Sequence, residues 1–368
     1  LTGADHLEHI DSESLHINRH GTPDDVNGTK LKFYKGDIIF GRRRAYQRKA
    51  GIANWDGFCS AHALVLRANP DVIDPELFPF FLHSDLFMNR AIDISVGSLS
   101  PTINWGTLKH QEFSIPPIES QVELSKLLWS LDYSVQTVFA HRETLKRSYK
   151  TLLNQLMIHG PYSSDGEVKK TKSGLLDERL NVIQLKDCLL EKPSYGANAS
   201  SKSYEKGLPR CIRITDIDDD GKLIDDELVT IDAENYDDYV LEDNDFLFAR
   251  TGNTVGKTHL YRSTYGSAVY AGYLIRFRLN QQLLRPKFLF YFTKSLKFES
   301  FKRKMVKVGA QPNINSEEYQ SMYLPELHVT IQDDLIEKLD SYCEIIDLAE
   351  NKLTDSKILQ TRLINKVF

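Results

Sequence analysis

Arg42-Arg43-Arg44-Ala45-Tyr46-Gln47-Arg48-Lys49 sets five cations around one tyrosine within eight residues. Charge at this density suits contacts to phosphate, and arginine can also donate two parallel hydrogen bonds to the O6 and N7 edge of guanine. The plain alternative is a solvated surface. Placement favours nucleic acid: the run follows a Gly-Asp strand, where a later repeat of the same pattern carries Arg250, Asn253 and Lys257. A second basic stretch, Lys294 to Lys307, contains Lys302, Arg303 and Lys304.

Other constellations imitate sites without completing them. Asp216-Ile217-Asp218-Asp219-Asp220-Gly221 followed by Glu227 fits the spacing of an EF-hand loop. An EF-hand needs a helix leading in, and Arg210 to Thr215 alternates as a strand, so an acidic β-turn is the expectation. Gly252-Asn253-Thr254-Val255-Gly256-Lys257-Thr258 resembles a phosphate cradle, but three residues separate its glycines where a P-loop has four. His6, His9, His16 and His20 have metal-like spacing, yet no helical pattern gathers them and no cysteine joins them. There is no Asn-Pro-Pro-Tyr-type methyl-transfer motif and no glycine-rich cofactor fingerprint. Pro23-Asp24 and Pro70-Asp71 lack the acid-x-lysine partner of a nuclease site. Neither a catalytic residue, nor a metal, nor a cofactor is expected.

The elements that must position these residues announce themselves by period. Leu124, Leu128, Leu131, Val135, Val138, Leu145, Tyr149, Leu152 and Leu156 recur at alternating four- and three-residue steps, broken at Arg142. That is a coiled-coil seam and demands a partner helix. Leu335, Leu339, Tyr342, Ile346, Ala349, Leu353, Leu363 and Val367 repeat it, with Ser356 and Gln360 as polar breaks. Shorter motifs repeat in the same order. Gly36-Asp37-Ile38-Ile39-Phe40 matches Asn244-Asp245-Phe246-Leu247-Phe248, Pro75-Glu76-Leu77 matches Pro286-Lys287-Phe288, Pro101-Thr102-Ile103-Asn104 matches Pro312-Asn313-Ile314-Asn315, and Gln121 matches Gln332. The chain is a duplication.

Between these anchors, Lys35 to Gly41 and Ala61 to Arg67 read as strands, Pro75 to Asn89 as one helix, and the stretch ending in Ile115-Pro116-Pro117-Ile118 as a strand. Thr2 to Leu7 lines up with Ile214 to Ile217, so the first copy starts late and lacks a counterpart of Leu180 to Cys211. Either the sequence is a truncated piece or that segment comes from another chain; both readings stay open.

The 368 residues are 41% hydrophobic and 26% charged, an ordinary globular balance with room for several domains. The net charge of -5 weighs against a nucleic-acid binder, but acid concentrates between Asp216 and Asp245 and masks the basic runs in the total. Four scattered cysteines, Cys59, Cys188, Cys211 and Cys343, form no metal or disulfide pattern, which points to a reducing cytoplasm. No apolar run approaches a membrane span.

Tandem order favours antiparallel packing of the two helices, because a parallel pair would force the second domain to bridge a helix about 55–60 Å long. Two domains related by an approximate twofold, each with a basic stretch, suit two inverted half-sites on a duplex. This pattern resembles the specificity subunits of type I restriction-modification systems. The likeness rests on Gly36-Asp37-Ile38-Ile39-Phe40, on Asp245 to Lys257, on Ile115-Pro116-Pro117 and on the glutamine that opens each long helix. Leu324-Pro325-Glu326-Leu327 departs from the double proline expected before the second helix.

The resemblance implies an α+β fold: two pseudo-twofold-related α/β target-recognition domains separated by two long antiparallel coiled-coil helices. The expected division is residues 1–117, an N-terminally incomplete first domain; 118–158, the first long helix; 159–174, a linker; 175–328, the second domain; and 329–368, the second long helix. It further implies a non-catalytic subunit that reads double-stranded DNA and joins two methyltransferase subunits, which modify adenine, and motor-nuclease restriction subunits. The target would be two defined blocks around a spacer, at most about 17 base pairs if the helices set the distance. The rival is a coiled-coil adaptor with two protein-binding end domains and no DNA.

Overall fold

A tight turn ending in aspartate opens the central strand of each α/β unit. In a computed structural model, which describes residues 4–5, 10, 14–17, 21–22, 29–231, 236–306 and 311–368, the chain divides into two units. The first is Leu1–Glu143 with Asp347–Phe368, the second Thr144–Ile346.

The first unit contains β1 (Ala4–Asp5), β2 (Lys30–Phe33), β3 (Ile38–Gly41), β4 (Ala50–Ile52), β5 (Gly57–Ser60) and β6 (Ala63–Leu66). They form two three-stranded sheets, β1-β5-β2 and β4-β3-β6. Every residue of β3 is buried. Its turn needs Gly36 at φ 92, a conformation that a side chain would strain. Asp37 then closes the turn, its carboxylate accepting the Tyr34 N–H at 2.7 Å and a bidentate pair from Arg67. Burial pushes this carboxyl up, but the Arg67 and Tyr34 hydrogen bonds outweigh it and hold the pKa below the ordinary value. Four helices follow, α1 (Phe78–His83), α2 (Asp85–Asp93), α3 (Trp105–Leu108) and α4 (Ile118–His159).

The second unit runs β7 (Val168–Thr171), β8 (Gly174–Asp177), β9 (Asn181–Gln184), β10 (Ser194–Tyr195), β11 (Ser201–Ser203), β12 (Arg210–Ile212), β13 (Val229–Ile231), β14 (Phe246–Ala249), β15 (Thr258–Leu260), β16 (Ala268–Tyr270) and β17 (Leu274–Phe277). Then come α5 (Pro286–Phe292), α6 (Leu296–Met305), α7 (Ser316–Gln320), β18 (Tyr323–Glu326) and α8 (Val329–Val367). The largest sheet has the order β10-β17-β14-β15. Its central strand β14 is again wholly buried, with Phe248 stacked on Tyr319 at 4.3 Å between ring centroids. Asn244 at φ 73 takes the place of Gly36, and Asp245 accepts the Glu242 N–H at 2.8 Å and Arg278 Nε at 3.0 Å. Here burial wins and the carboxyl is pushed up despite Arg278.

The seams pack as their period predicts, with a refinement. Within the first unit α4 and α8 run antiparallel: Asp132 meets Gln360 at 3.0 Å and Arg142 meets Glu350 at 2.9 Å, so position falls along one helix as it rises along the other. Val135, Val138 and Leu353 form a cluster of their own. Leu128, with Leu124 and Leu363 beside it, packs into the α/β core around Phe80 and Phe81, and Leu131 is half-buried. In the second unit Leu335 and Leu339 enter the α/β core. Leu145, Leu152 and Ile346 are half-buried, while Leu153 and Met157, one step from the seam, are the fully covered residues.

Gln121 and Gln332 reveal why a glutamine opens each long helix. Gln121 is buried, accepts the Asp74 N–H at 2.7 Å and donates to the carbonyls of Pro116 at 2.8 Å and Val72 at 3.3 Å. Gln332 repeats this with the Arg285 N–H and the carbonyls of Leu327 and Leu283, all at 2.8 Å. One buried amide thus satisfies three backbone groups at the start of each long helix.

Four sequence expectations are corrected. Pro75 to Asn89 is two helices, not one: Ser84 at φ -68 and ψ 151 ends α1 and caps α2 by accepting the Phe87 N–H at 3.2 Å. The stretch before Ile118 is not a strand. Its counterpart β18 pairs with β9, whereas among the described residues this stretch pairs with no strand. The stretch 159–174 is more than a linker, since β7 and β8 form a hairpin there. Arg210 to Thr215 is strand only to Ile212, then turns through a 3-10 helix, Ile214–Asp216. Among the described residues no helix is long and apolar enough to cross a membrane.

Candidate nucleic-acid interface

The basic run of the first unit is the loop between β3 and β4, and its equivalent in the second unit joins β14 to β15. Both loops hang on the same frame. Arg44 N–H donates to the Pro101 carbonyl at 2.6 Å, and Ile103 N–H to the Arg42 carbonyl at 2.8 Å. Gly252 N–H donates to Pro312 and Ile314 N–H to Arg250, both at 2.9 Å. Between each pair of bonds lies one bridge, Arg43 to Thr102 and Thr251 to Asn313. The loops close alike, Gly41 N–H to Lys49 at 2.8 Å and Ala249 N–H to Lys257 at 2.9 Å. The repeated Pro-x-Ile-Asn motif is therefore a clamp on the basic loop, a role the sequence alone did not disclose.

Within that shared frame the two loops differ at two backbone positions. Gly252 and Gly256 have φ 67 and φ 83, and the matching residues are Arg44 at φ 57 and Arg48 at φ 51. An L-residue held left-handed costs about 1–2 kcal/mol that glycine does not incur. Each unit also fills the space beside the second position differently. A Cβ on Gly256 would run into Lys302 Cδ, whereas α2 carries the buried Ala91 at the position matching Lys302.

In the first unit Arg48 donates to Asp85 at 2.5 Å, and Asp85 is itself held by Asn365 of α8 at 2.7 Å. That ion pair straps the loop to two helices. Lys49 is half-buried and engaged, and Arg42 is half-buried. Arg43 and Arg44 are exposed, their Nε atoms sharing Ser100 Oγ at 3.0 and 3.3 Å. Among the described residues neither has a carboxylate within ion-pair distance. Tyr46 stands 55% exposed beside them.

The second unit is less open. Arg250 lies over the Tyr195 ring at 4.9 Å, with its Nε buried and, among the described residues, without a hydrogen-bond partner. Lys257 donates to the Ile217 carbonyl at 3.1 Å and pairs with Asp219 at 2.9 Å, which lowers the Asp219 pKa. Lys302 pairs with Glu299 at 2.6 Å. Asn253, Arg303 and Lys304 are exposed. Lys294 and Lys297, counted in the basic stretch, turn inward: burial pulls both pKa values down to about 8, and their ammonium groups donate to the carbonyls of Asp219 and Ser173 at 3.1 and 3.0 Å. Lys307 lies outside the described residues.

The acidic motif is a turn. Ile217 bridges Leu223, Asp218 N–H donates to the Lys222 carbonyl at 3.0 Å, and Asp216 is spent on Arg213 at 2.8 Å. Gly252 to Lys257 is the hairpin loop already described, with a 3-10 turn at Gly252–Thr254. His16 bonds to Asp132 at 2.7 Å; His6, His9 and His20 lie outside the described residues, as does Pro23-Asp24. Among the described residues no group of three or more histidines, cysteines or carboxylates is placed to hold a metal.

Residues 17–147 match the family model described as the type I restriction modification DNA specificity domain. The putative type I restriction enzyme MjaX specificity subunit of Methanocaldococcus jannaschii is 25% identical over 215 residues, 54% of this chain and 49% of that one. The type I restriction enzyme MjaVIII specificity subunit of the same organism is 21% identical over 275 residues, 73% of this chain and 64% of that one. The matches thus span between about half and two thirds of these curated relatives. Among solved structures, one described as the structural basis underlying complex assembly and conformational transition of the type I R-M system aligns with a TM-score of 0.60 at 16% identity, over 100% of this chain and 90% of that one. The type I restriction-modification S subunit from M. genitalium aligns with a TM-score of 0.54 at 14% identity, over 100% and 88%. These two likenesses are of fold.

Proposed function

We propose, on the premise that the chain belongs to the family of type I restriction-modification specificity subunits, that it is the sequence-specific DNA-recognition subunit of such a complex. It reads a double-stranded target in two parts, one for each unit. It does no chemistry itself: two adenine methyltransferase subunits and the motor-nuclease restriction subunits are positioned on that target, in the cytoplasm.

The observation that carries this reading is the duplicated clamp. One backbone frame holds a basic loop in each unit, while the side chains on the two loops differ, Arg42-Arg43-Arg44-Ala45-Tyr46 against Arg250-Thr251-Gly252-Asn253-Thr254. A constant frame with variable side chains is what two readers of different base sequence require. Arg43, Arg44 and Tyr46 face DNA in the first unit, with Arg42 and Lys49 at the margin. Asn253, Arg303 and Lys304 do so in the second, with Arg250 behind. Arg48, Lys257 and Lys302 hold the loops. Exposed apolar side chains on the long helices, Leu127, Tyr133, Leu348 and Leu359, suit the docking of partner subunits.

A salt titration of duplex binding tests the reading. Affinity for the intact chain falls steeply with salt, and Arg42→Ala with Arg43→Ala and Arg44→Gly flattens the slope by about 0.9 for every phosphate no longer neutralised. Glycine is used at 44 because it accepts the left-handed backbone. Binding indifferent to salt returns the chain to the adaptor reading, and an unchanged slope in the variant makes the arginine run a solvated surface.

A further inference from the structure

We infer that Arg44, held on Ser100 beside Arg43, is the residue by which the first unit reads a guanine in its part of the target. This deepens the recognition function proposed above and rests on it.

The frame of the loop does not need an arginine there. Gly252 occupies the matching position with the same two clamp bonds and a similar φ, so glycine is the residue this backbone accepts freely. Strain kept at such a position points to a use for the side chain. The other left-handed arginine, Arg48, has its use inside the fold, in the ion pair with Asp85. Arg44 has none: its only hydrogen-bonding side-chain neighbour among the described residues is Ser100 Oγ.

That bond also shapes what Arg44 can bind. With Nε on Ser100 Oγ, the two Nη groups remain as a pair of donors. Such a pair matches the O6 and N7 acceptors of guanine in the major groove. Arg43 Nε is on the same oxygen, so two guanidinium groups share one neutral hydroxyl. Like charges drawn this close call for an electron-rich partner between or beyond them. Base reading, unlike phosphate binding, also needs a donor fixed in place. The Arg44 main chain is fixed by Pro101, and the Arg42 carbonyl by Ile103.

The test is selection from a randomised duplex library by the full chain, comparing wild type with Arg44→Gly, Arg44→Lys and Ser100→Ala. Wild type is expected to enrich a motif that includes a guanine. Arg44→Gly should erase preference at that one position, by between about fivefold and hundredfold, and leave the other positions as they were. Its thermal midpoint should stay level or rise, which separates a loss of reading from a loss of fold. Lysine, a single point charge, should not restore the preference, and Ser100→Ala should weaken it partly. Uniform weakening with all preferences intact and a salt slope lower by about 0.9 would make Arg44 a phosphate ligand and overturn the proposal. Unchanged preferences overturn it as well. A wild-type chain that enriches nothing overturns the recognition function and this proposal together.

Discussion

Gln121 and Gln332 show how much a single residue can carry without being legible as important. Their match was visible in the sequence, but their acceptors, the carbonyls of Val72 and Pro116 or of Leu283 and Leu327, become neighbours only in the fold. Replacing either by alanine removes three hydrogen bonds of a buried amide and should cost about 1–3 kcal/mol in urea unfolding, above a surface change. The left-handed arginines were hidden for a different reason. Arginine gives no sign of positive φ, and the only clue was glycine at both matching positions, Gly252 and Gly256. Two desolvated histidines, the half-buried His83 and the buried His259, give the molecule an acid sensitivity. Burial is the main cause that pulls His83 and His259 down to about 4, so the fold holds both neutral. Below the ordinary histidine value the unfolded chain takes up protons that the folded chain refuses, and stability must fall as pH drops from about 6.5 towards 4. Thermal midpoints measured across that window should show the fall, and His83→Gln with His259→Gln should flatten it.

At the scale of elements, period and punctuation carried the reading well. The long helices run Ile118–His159 and Val329–Val367, where the heptad spacing extends over many turns, and Pro117 immediately precedes the first. Failures fell where a partner or a cap decides. Ser84 splits a helix that its apolar residues would continue, and the stretch before Ile118 is irregular where its counterpart β18 is held by β9. The loops obey local sterics, which gives a test of the frame. Gly256→Ala should lose about 1–3 kcal/mol in urea unfolding, from its φ of 83 and from the aliphatic chain of Lys302. Adding Lys302→Ala should recover only the steric part, since the backbone strain remains. Full recovery would show that the left-handed conformation is not costly there, and Arg44 would then hold no strain that asks for a use.

For the whole molecule, net charge misled and duplication informed. The total of -5 hides basic loops behind an acidic segment that the fold spends internally, Asp216 on Arg213 and Asp219 on Lys257. If each unit reads DNA as proposed, the duplication puts two readers with different side chains in one chain, and the target should be bipartite and asymmetric in sequence. The decisive measurement is the adenine methylome of cells that supply the methyltransferase subunits, with and without this chain. The expected outcome is a motif of two defined blocks around an unspecified spacer, methylated only when the chain is present, and an Arg44→Gly chain that relaxes one block alone. Identical methylation in both cells would mean that this chain does not choose the target.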